Sequence, residues 1–330
     1  MSSALRAGVV GLGAMGRNHV RALGSIDGVE VVGAFDIEPG SPGQGPVTIH
    51  RSMDALLDQG LDLCVVAVPT DAHEAIGLQL ARAGVPTLIE KPLAADVEGG
   101  TRLVAAFTGA GLVAGVGHIE RHNPAIASMH QRLSAGALGQ VYQITTSRQG
   151  PFPGRIRDVG VVKDLGTHDL DLAAWIAGSP YVSVAAQTAH RAGRPHEDLV
   201  AVVGRLADGT VTNHLVNWLS PVKERRVVVT GERGCFSADM LTSDLTFFAN
   251  ASVPSAWSEM ARFRGVSEGD MIRYAIAKPE PLVVELEQFV AAVRGRPSST
   301  VSLEEGLEVL AVAEAALRSA ATGTVAEVTR

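Results

Sequence analysis

The chain has 330 residues, 46% hydrophobic and 19% charged, with a formal net charge of −7; that composition suits two ordinary domains with real cores and excludes disordered and fibrous classes. Basic residues are scattered, the pI is near 5.8, and no apolar run approaches the ~20 residues of a membrane span, so neither nucleic-acid nor membrane partners are expected. Only Cys64 and Cys235 occur and the first residues form no signal-peptide core, so the expected compartment is a reducing cytoplasm.

Residues 7–10 are a short apolar run of the kind that forms a covered parallel strand, and residues 15–23 read as a helix. Between them runs Gly11-Leu12-Gly13-Ala14-Met15-Gly16. Gly11 permits a tight strand-to-helix bend, Gly13 lets the backbone approach a pyrophosphate and Gly16 allows close packing, while the helix start at Ala14 and Met15 offers unpaired N–H donors. Taken alone, the pattern also fits any glycine-rich turn. A second strand, Val29–Phe35, ends at Asp36, where a carboxylate accepts from an adenosine ribose and repels a 2′-phosphate. Ile37, Glu38, Pro39 and Gly40 bring no cation, so NAD(H) is expected over NADP(H).

Residues 39–46 are a Pro/Gly-rich loop. Strands recur near residues 61–68, 86–89 and 112–116, with helices at 71–83 and 97–108, the alternation of repeated βαβ units. The grammar changes near residue 120. Alternating segments at 141–146, 199–206, 210–218 and 226–230, punctuated by Asp208-Gly209 and Gly231-Glu232-Arg233-Gly234, predict a mainly antiparallel sheet. Helices at 282–293 and 303–320, the second opened by a Ser302/Glu305 capping box, complete that unit. The expected class is α/β: a doubly wound parallel Rossmann domain over residues 1–120, then an α+β substrate-binding domain with a large open sheet over residues 121–330.

A redox reaction at an alcohol carbon needs a group that removes the hydroxyl proton, and His168 is the candidate base. Asp164, His168 and Asp171 share one face if the segment runs helically into Leu172, Trp175 and Ile176, with Thr167 as its cap. A helix start and a neighbouring ammonium would keep His168 neutral, and Asp164 would orient its ring. A capping and salt-bridge cluster is the plainer reading. Lys91, after Glu90 at the C-terminal end of a strand and fixed by Pro92, can donate to a substrate oxygen, unless it is a surface loop lysine. Arg148, Arg155, Arg157 and Lys163 surround a Pro/Gly loop, and Arg121 and Asn123 follow the last Rossmann strand. Such arginines suit a diphosphate or carboxylate, a solvated basic loop being the alternative. His118 and His122 lack a carboxylate or thiolate to complete a set, so no metal is expected. Trp218, beside Asn217, is the tryptophan placed nearest a ligand.

The dinucleotide turn, Glu90-Lys91-Pro92 and Asp164-x-x-x-His168, at these relative positions, resemble the glucose–fructose oxidoreductase and inositol dehydrogenase (Gfo/Idh/MocA) family over essentially the whole chain. The resemblance implies NAD(P)-dependent oxidation or reduction of a sugar or cyclitol carbon and a homodimer or homotetramer built through the C-terminal sheet. It also implies Lys91 and His168 as catalytic residues, Asp164 as their acidic partner, and Pro69, Thr70 and His73 along the dinucleotide. Residues 117–125, 155–165 and 216–221 are similar to the branch acting on the sugar 3-position of UDP-N-acetylglucosamine or its uronic acid. His122 and Lys163 depart from that branch, and both are expected on the substrate side. A cyclitol or free-sugar dehydrogenase and a non-catalytic dinucleotide-sensing protein are the alternatives. Lys91 with His168 favours catalysis, and Arg121, Arg155 and Arg157 favour a sugar nucleotide.

Overall fold

A computed structural model of the chain describes residues 4–37, 47–154, 159–251 and 267–329. Arg155, Arg157 and the loop at 39–46 therefore lie outside the described residues. The first part runs β1 (Leu5–Val10), α1 (Ala14–Leu23), β2 (Val29–Phe35), β3 (Ile49–His50), α2 (Met53–Leu57), β4 (Leu63–Val66), α3 (His73–Arg82), β5 (Thr87–Glu90), α4 (Val97–Gly109) and β6 (Ala114–Gly117). These strands form one parallel sheet in the order β3-β2-β1-β4-β5-β6. The order reverses next to β1, which opens a crevice at the C-terminal strand ends. All four residues of β4 are buried, as a strand covered on both faces requires.

The second part runs α5 (Pro124–Ser134), β7 (Val141–Pro151), α6 (Thr167–Ala177), β8 (Tyr181–Ala189), β9 (Leu199–Leu206), β10 (Val211–Asn217), β11 (Leu219–Gly231), β12 (Gly234–Asp239), β13 (Asp244–Ala251), β14 (Ser267–Arg273), α7 (Pro281–Val293), α8 (Leu303–Thr322) and β15 (Ala326–Glu327). Its nine strands are ordered β14-β13-β12-β11-β7-β10-β9-β8-β15 and pair antiparallel except for β7 with β10. Alternation sets the faces: Ile144, Thr146 and Arg148 of β7 and Thr212, His214 and Val216 of β10 point inward, where α5, α6 and α8 cover them. Among the described residues, no helix is long and apolar enough to cross a membrane.

Helix α5 and strand β8 are absent from the sequence reading, although α5 carries a start signal, with Asn123 accepting from Ala125 N and Pro124 at the first helical position. The two late helices do not simply complete the second unit. Helix α7 packs Leu282, Leu286, Phe289 and Val290 against Ala7, Val9, Leu63 and Leu88 of the parallel sheet. Helix α8 is apolar on two sides: Leu303 and Leu310 join the first core, and Val312, Ala313 and Ala316 join the second. Its capping box forms as expected, with Glu305 N donating to Ser302 Oγ at 3.1 Å and Ser302 N to Glu305 Oε2 at 2.9 Å.

Candidate active site

The crevice begins at the glycine turn. Gly11 has φ +90°, and a Cβ there would lie 2.5 Å from the Ala67 carbonyl oxygen, while one at Gly16 would strike the Gly11 carbonyl; both close approaches need glycine. A Cβ on Gly13 would meet nothing within 4 Å, because that residue borders the opening. Helix α1 starts there without a side-chain cap, so its first N–H groups face a cleft of about 430 Å³. Asp36 accepts from Leu12 N at 2.5 Å, which fixes a carboxylate at the end of β2 beside the turn. An uncapped helix start, an open glycine and a carboxylate one strand over fit a dinucleotide: the diphosphate suits α1 and the ribose suits Asp36.

Of the residues expected around a cofactor, Gly13, Ala14, Met15, Pro69, Thr70, Glu90 and Lys91 line this one cleft, and Asp164 and His168 close it from the helical segment of the second part that covers the nine-stranded sheet. His73 does not reach it. That ring is buried behind the wall, 2.9 Å from Pro92 O and 3.1 Å from Val68 O, and so holds the loops after β4 and β5 together.

Lys91 Nζ donates to Asp164 twice, to the backbone oxygen at 2.6 Å and to Oδ1 at 2.8 Å. One turn of π-helix, Val162–Gly166, presents both acceptors at once and runs directly into α6. The chain thus enters α6 already helical, and Thr167 Oγ1 donates back to Lys163 O at 3.0 Å instead of capping the helix. The expectation that Asp164 orients His168 is corrected in the same way, because its carboxylate is bound to Lys91. His168 Nδ1 is buried with no partner, leaving Nε2 as the ring nitrogen open to the cleft. Burial first, then the charge of Lys91, holds the His168 imidazole well below its ordinary range, so the ring is neutral and able to accept a proton.

Several expected substrate residues are turned inward. Arg121 grips Asp171 through Nε at 3.0 Å and through Nη2, and reaches Glu305 with Nη1 at 2.7 Å. Asp171 therefore faces Arg121 rather than the cleft. Asn123 caps α5 and donates to Met240 O at 3.0 Å. His122 is buried, its imidazole lowered to about 4 by burial and then by Arg121. Lys163 donates to Ala95 O at 2.5 Å and lies 3.5 Å from Glu314, away from the substrate side. Arg148 is no loop cation: it is fully buried, with Nε 2.9 Å from Asp169 Oδ1 and Nη1 2.6 Å from Glu120 Oε1. The reason is common to the three cations, Arg121, Lys163 and Arg148. A buried charge left unpaired costs several kcal/mol, so a carboxylate or carbonyl within reach takes the cation inward.

Two features escaped the sequence reading. His19 Nε2 meets Glu90 Oε1 at 2.7 Å and braces the residue before Lys91. Its signal was present, since His19 lies three residues from Gly16 and from Ala22 on the buried stripe of α1. Arg225 stands two residues before Val227 and four before Val229, both buried, so strand alternation marks it as inward-facing.

Residues 5–118 match the oxidoreductase family GFO/IDH/MocA, NAD-binding Rossmann fold, and residues 126–237 match the GFO/IDH/MocA C-terminal domain. Myo-inositol dehydrogenase Hyg17 of Streptomyces leeuwenhoekii is 31% identical over 95% of this chain and 96% of its own length. UDP-N-acetylglucosamine 3-dehydrogenase of Acidithiobacillus ferrooxidans is 28% identical over 94% of this chain and 95% of its own. A solved structure of that 3-dehydrogenase superposes with a TM-score of 0.82 at 28% identity, covering 96% of this chain and 98% of the other. GenD2 from gentamicin A biosynthesis, crystallised with NAD, superposes with a TM-score of 0.83 at 26% identity, covering 100% and 98%.

Proposed function

Because the chain belongs to the Gfo/Idh/MocA family and is an NAD-binding dehydrogenase acting on CH–OH groups, we propose that it transfers hydride between NAD and a secondary alcohol of a sugar, at the 3-position of a UDP-amino sugar. The observation that carries this reading is the pairing of Lys91 with Asp164 beside the open face of His168, in the same cleft as the glycine turn. NAD, when bound, supplies the hydride acceptor or donor. The chain's own residues manage the substrate oxygen. Asp164 occupies two of the three Lys91 N–H groups and leaves the third to donate to that oxygen, where the ammonium charge stabilises a developing alkoxide. His168, kept neutral, takes the hydroxyl proton at Nε2 and returns it in the reverse direction.

Asp36 supports NAD over NADP by like-charge repulsion of a 2′-phosphate. The free thiols of Cys64 and Cys235 support a reducing, cytoplasmic setting. Likeness to UDP-N-acetylglucosamine 3-dehydrogenase supports the sugar nucleotide, and likeness to Hyg17 supports a cyclitol as the second reading. The test is to incubate the protein with NAD and, separately, UDP-N-acetylglucosamine, its uronic acid, inositols and free sugars, following reduced-nicotinamide absorbance in multiple- and single-turnover mixtures. Reduction with a UDP-sugar is expected. Reduction with inositol alone transfers the assignment to the cyclitol, and silence with every alcohol sinks the catalytic reading.

A further inference from the structure

Strand β11 pairs antiparallel with β7 so that Arg225 lies directly opposite Arg148, and both guanidinium groups leave the inner face of the sheet, the face covered by α6. Arg148 is compensated there by Asp169, the residue next to His168, and by Glu120. Arg225 is not. Its Nη1 donates to Gln149 O and to Glu224 O, each at 2.8 Å, while Nε and Nη2 have no acceptor and no carboxylate forms an ion pair with it among the described residues. Like charges directly opposite on neighbouring strands are destabilising, and a half-buried arginine without a counter-ion adds to that cost.

We propose that Arg225 is a substrate-anchoring residue that binds an oxyanion of the substrate, a phosphate or a carboxylate, through its unoccupied Nε/Nη2 edge. This rests on the reading of the substrate as an anionic sugar nucleotide. The two backbone carbonyls fix one nitrogen of a planar group, so the opposite edge is presented in a set direction, as bidentate contact to a phosphate or carboxylate requires. Arg225 lies one strand from the arginine that holds Asp169, near enough for its charge to act on His168 and for Asp164 to act on it, whereas the glycine turn follows β1 of the parallel sheet. A second guanidinium without a carboxylate among the described residues, Arg194, stacks over Phe152 at 3.8 Å and Trp218 at 4.5 Å where β7 and β10 end, which adds to the positive field. In agreement, the Arg225 guanidinium is lowered by burial and then by Arg148, and its charge contributes to holding His168 neutral.

The test uses the full chain with Arg225→Gln and Arg225→Lys. With NAD saturating, the KM for UDP-N-acetylglucosamine should rise about ten- to a hundredfold in Arg225→Gln, as loss of a charged hydrogen-bonded contact predicts, with kcat within about threefold because the contact is alike in ground and transition states. Arg225→Lys should recover part of the loss, and the KM for neutral N-acetylglucosamine should not move. An unchanged KM for the UDP-sugar, or an equal rise for the neutral sugar, overturns the anchor. If the wild-type protein ignores UDP-sugars but oxidises inositol, the sugar-nucleotide reading falls by itself. Arg225 is then judged by inhibition of that oxidation with glucose 1-phosphate and with glucuronate, which also separates phosphate from carboxylate. Weaker inhibition in Arg225→Gln by either anion supports the oxyanion site, and equal inhibition of both proteins by both anions overturns it.

Discussion

Asp164 grips Lys91 rather than His168, so the two candidate proton-handling groups act on the substrate oxygen independently. Lys91→Ala and His168→Ala should each lower kcat by about 10²- to 10⁴-fold while NAD titration and thermal melting stay close to wild type. Near-normal turnover in either variant removes that residue from the chemistry. Because burial and Lys91 depress the His168 imidazole, kcat/KM in the oxidising direction should fall only well below pH ~6.5, the ordinary imidazole value. In Lys91→Met the acid limb of the residual activity should move upward, since a repelling cation is gone; a limb that does not move counts against the coupling. Glu285 tests burial without partners. Both carboxylate oxygens are buried and unbonded, and burial, then the charge of Glu90, pushes the group well above the usual carboxylate range. Its folded-state value is raised, so its contribution is complete below pH ~4.3 and is lost as pH rises toward that folded value. The stability advantage of Glu285→Gln over wild type in denaturant unfolding should therefore grow from pH 5 to pH 9, reaching about 1–3 kcal/mol. A gap independent of pH refutes the buried-acid account.

At the level of elements, α8 ties two cores together from a start that its capping box defines. Ser302→Ala should cost about 0.5–2 kcal/mol in denaturant unfolding with kcat unchanged. A large fall in activity would mean instead that the cap positions the site, since Glu305 also receives Arg121. The turn from β1 to α1 decides cofactor choice. Asp36→Ser should weaken NAD binding and narrow the preference over NADP, because the repelled phosphate no longer meets a carboxylate. Binding isotherms measure both, and a preference that persists unchanged would place discrimination elsewhere. The π-helical turn before α6 is the element that brings the two sheets to one point, because it faces Lys91, the residue after β5, with both a carbonyl and a carboxylate.

For the whole molecule, the surface that matters is the outer face of the nine-stranded sheet. Val203, Val211, Leu215, Phe248 and Met271 stand exposed there, on alternation positions opposite to the covered inner face. An exposed apolar face of this kind predicts pairing of two copies through it. Light scattering should give a dimer or tetramer mass, and Leu215→Lys should reduce it without altering the cleft. A monomeric wild-type protein at micromolar concentration would rule the pairing out.

The sequence by itself determined what depends on local order. Apolar runs and glycine spacing marked every strand of the parallel sheet except two-residue β3, and the turn before α1 placed a cofactor site. Glu90-Lys91-Pro92 and Asp164-x-x-x-His168 pointed to a base and a cation at one cleft, and Ser302 with Glu305 fixed where α8 starts. Only the tertiary structure decided which charges are spoken for. Arg121 pairs with residues 50 and 184 positions away, and Arg148 with Glu120 and Asp169. Sequence spacing carries no trace of such partners, because an ion pair forms wherever folding brings opposite charges within a few ångströms in a poorly solvated interior. For the same reason Arg225, unremarkable as one of several arginines in the chain, becomes distinctive only when β11 sets it opposite an arginine whose carboxylates are already taken.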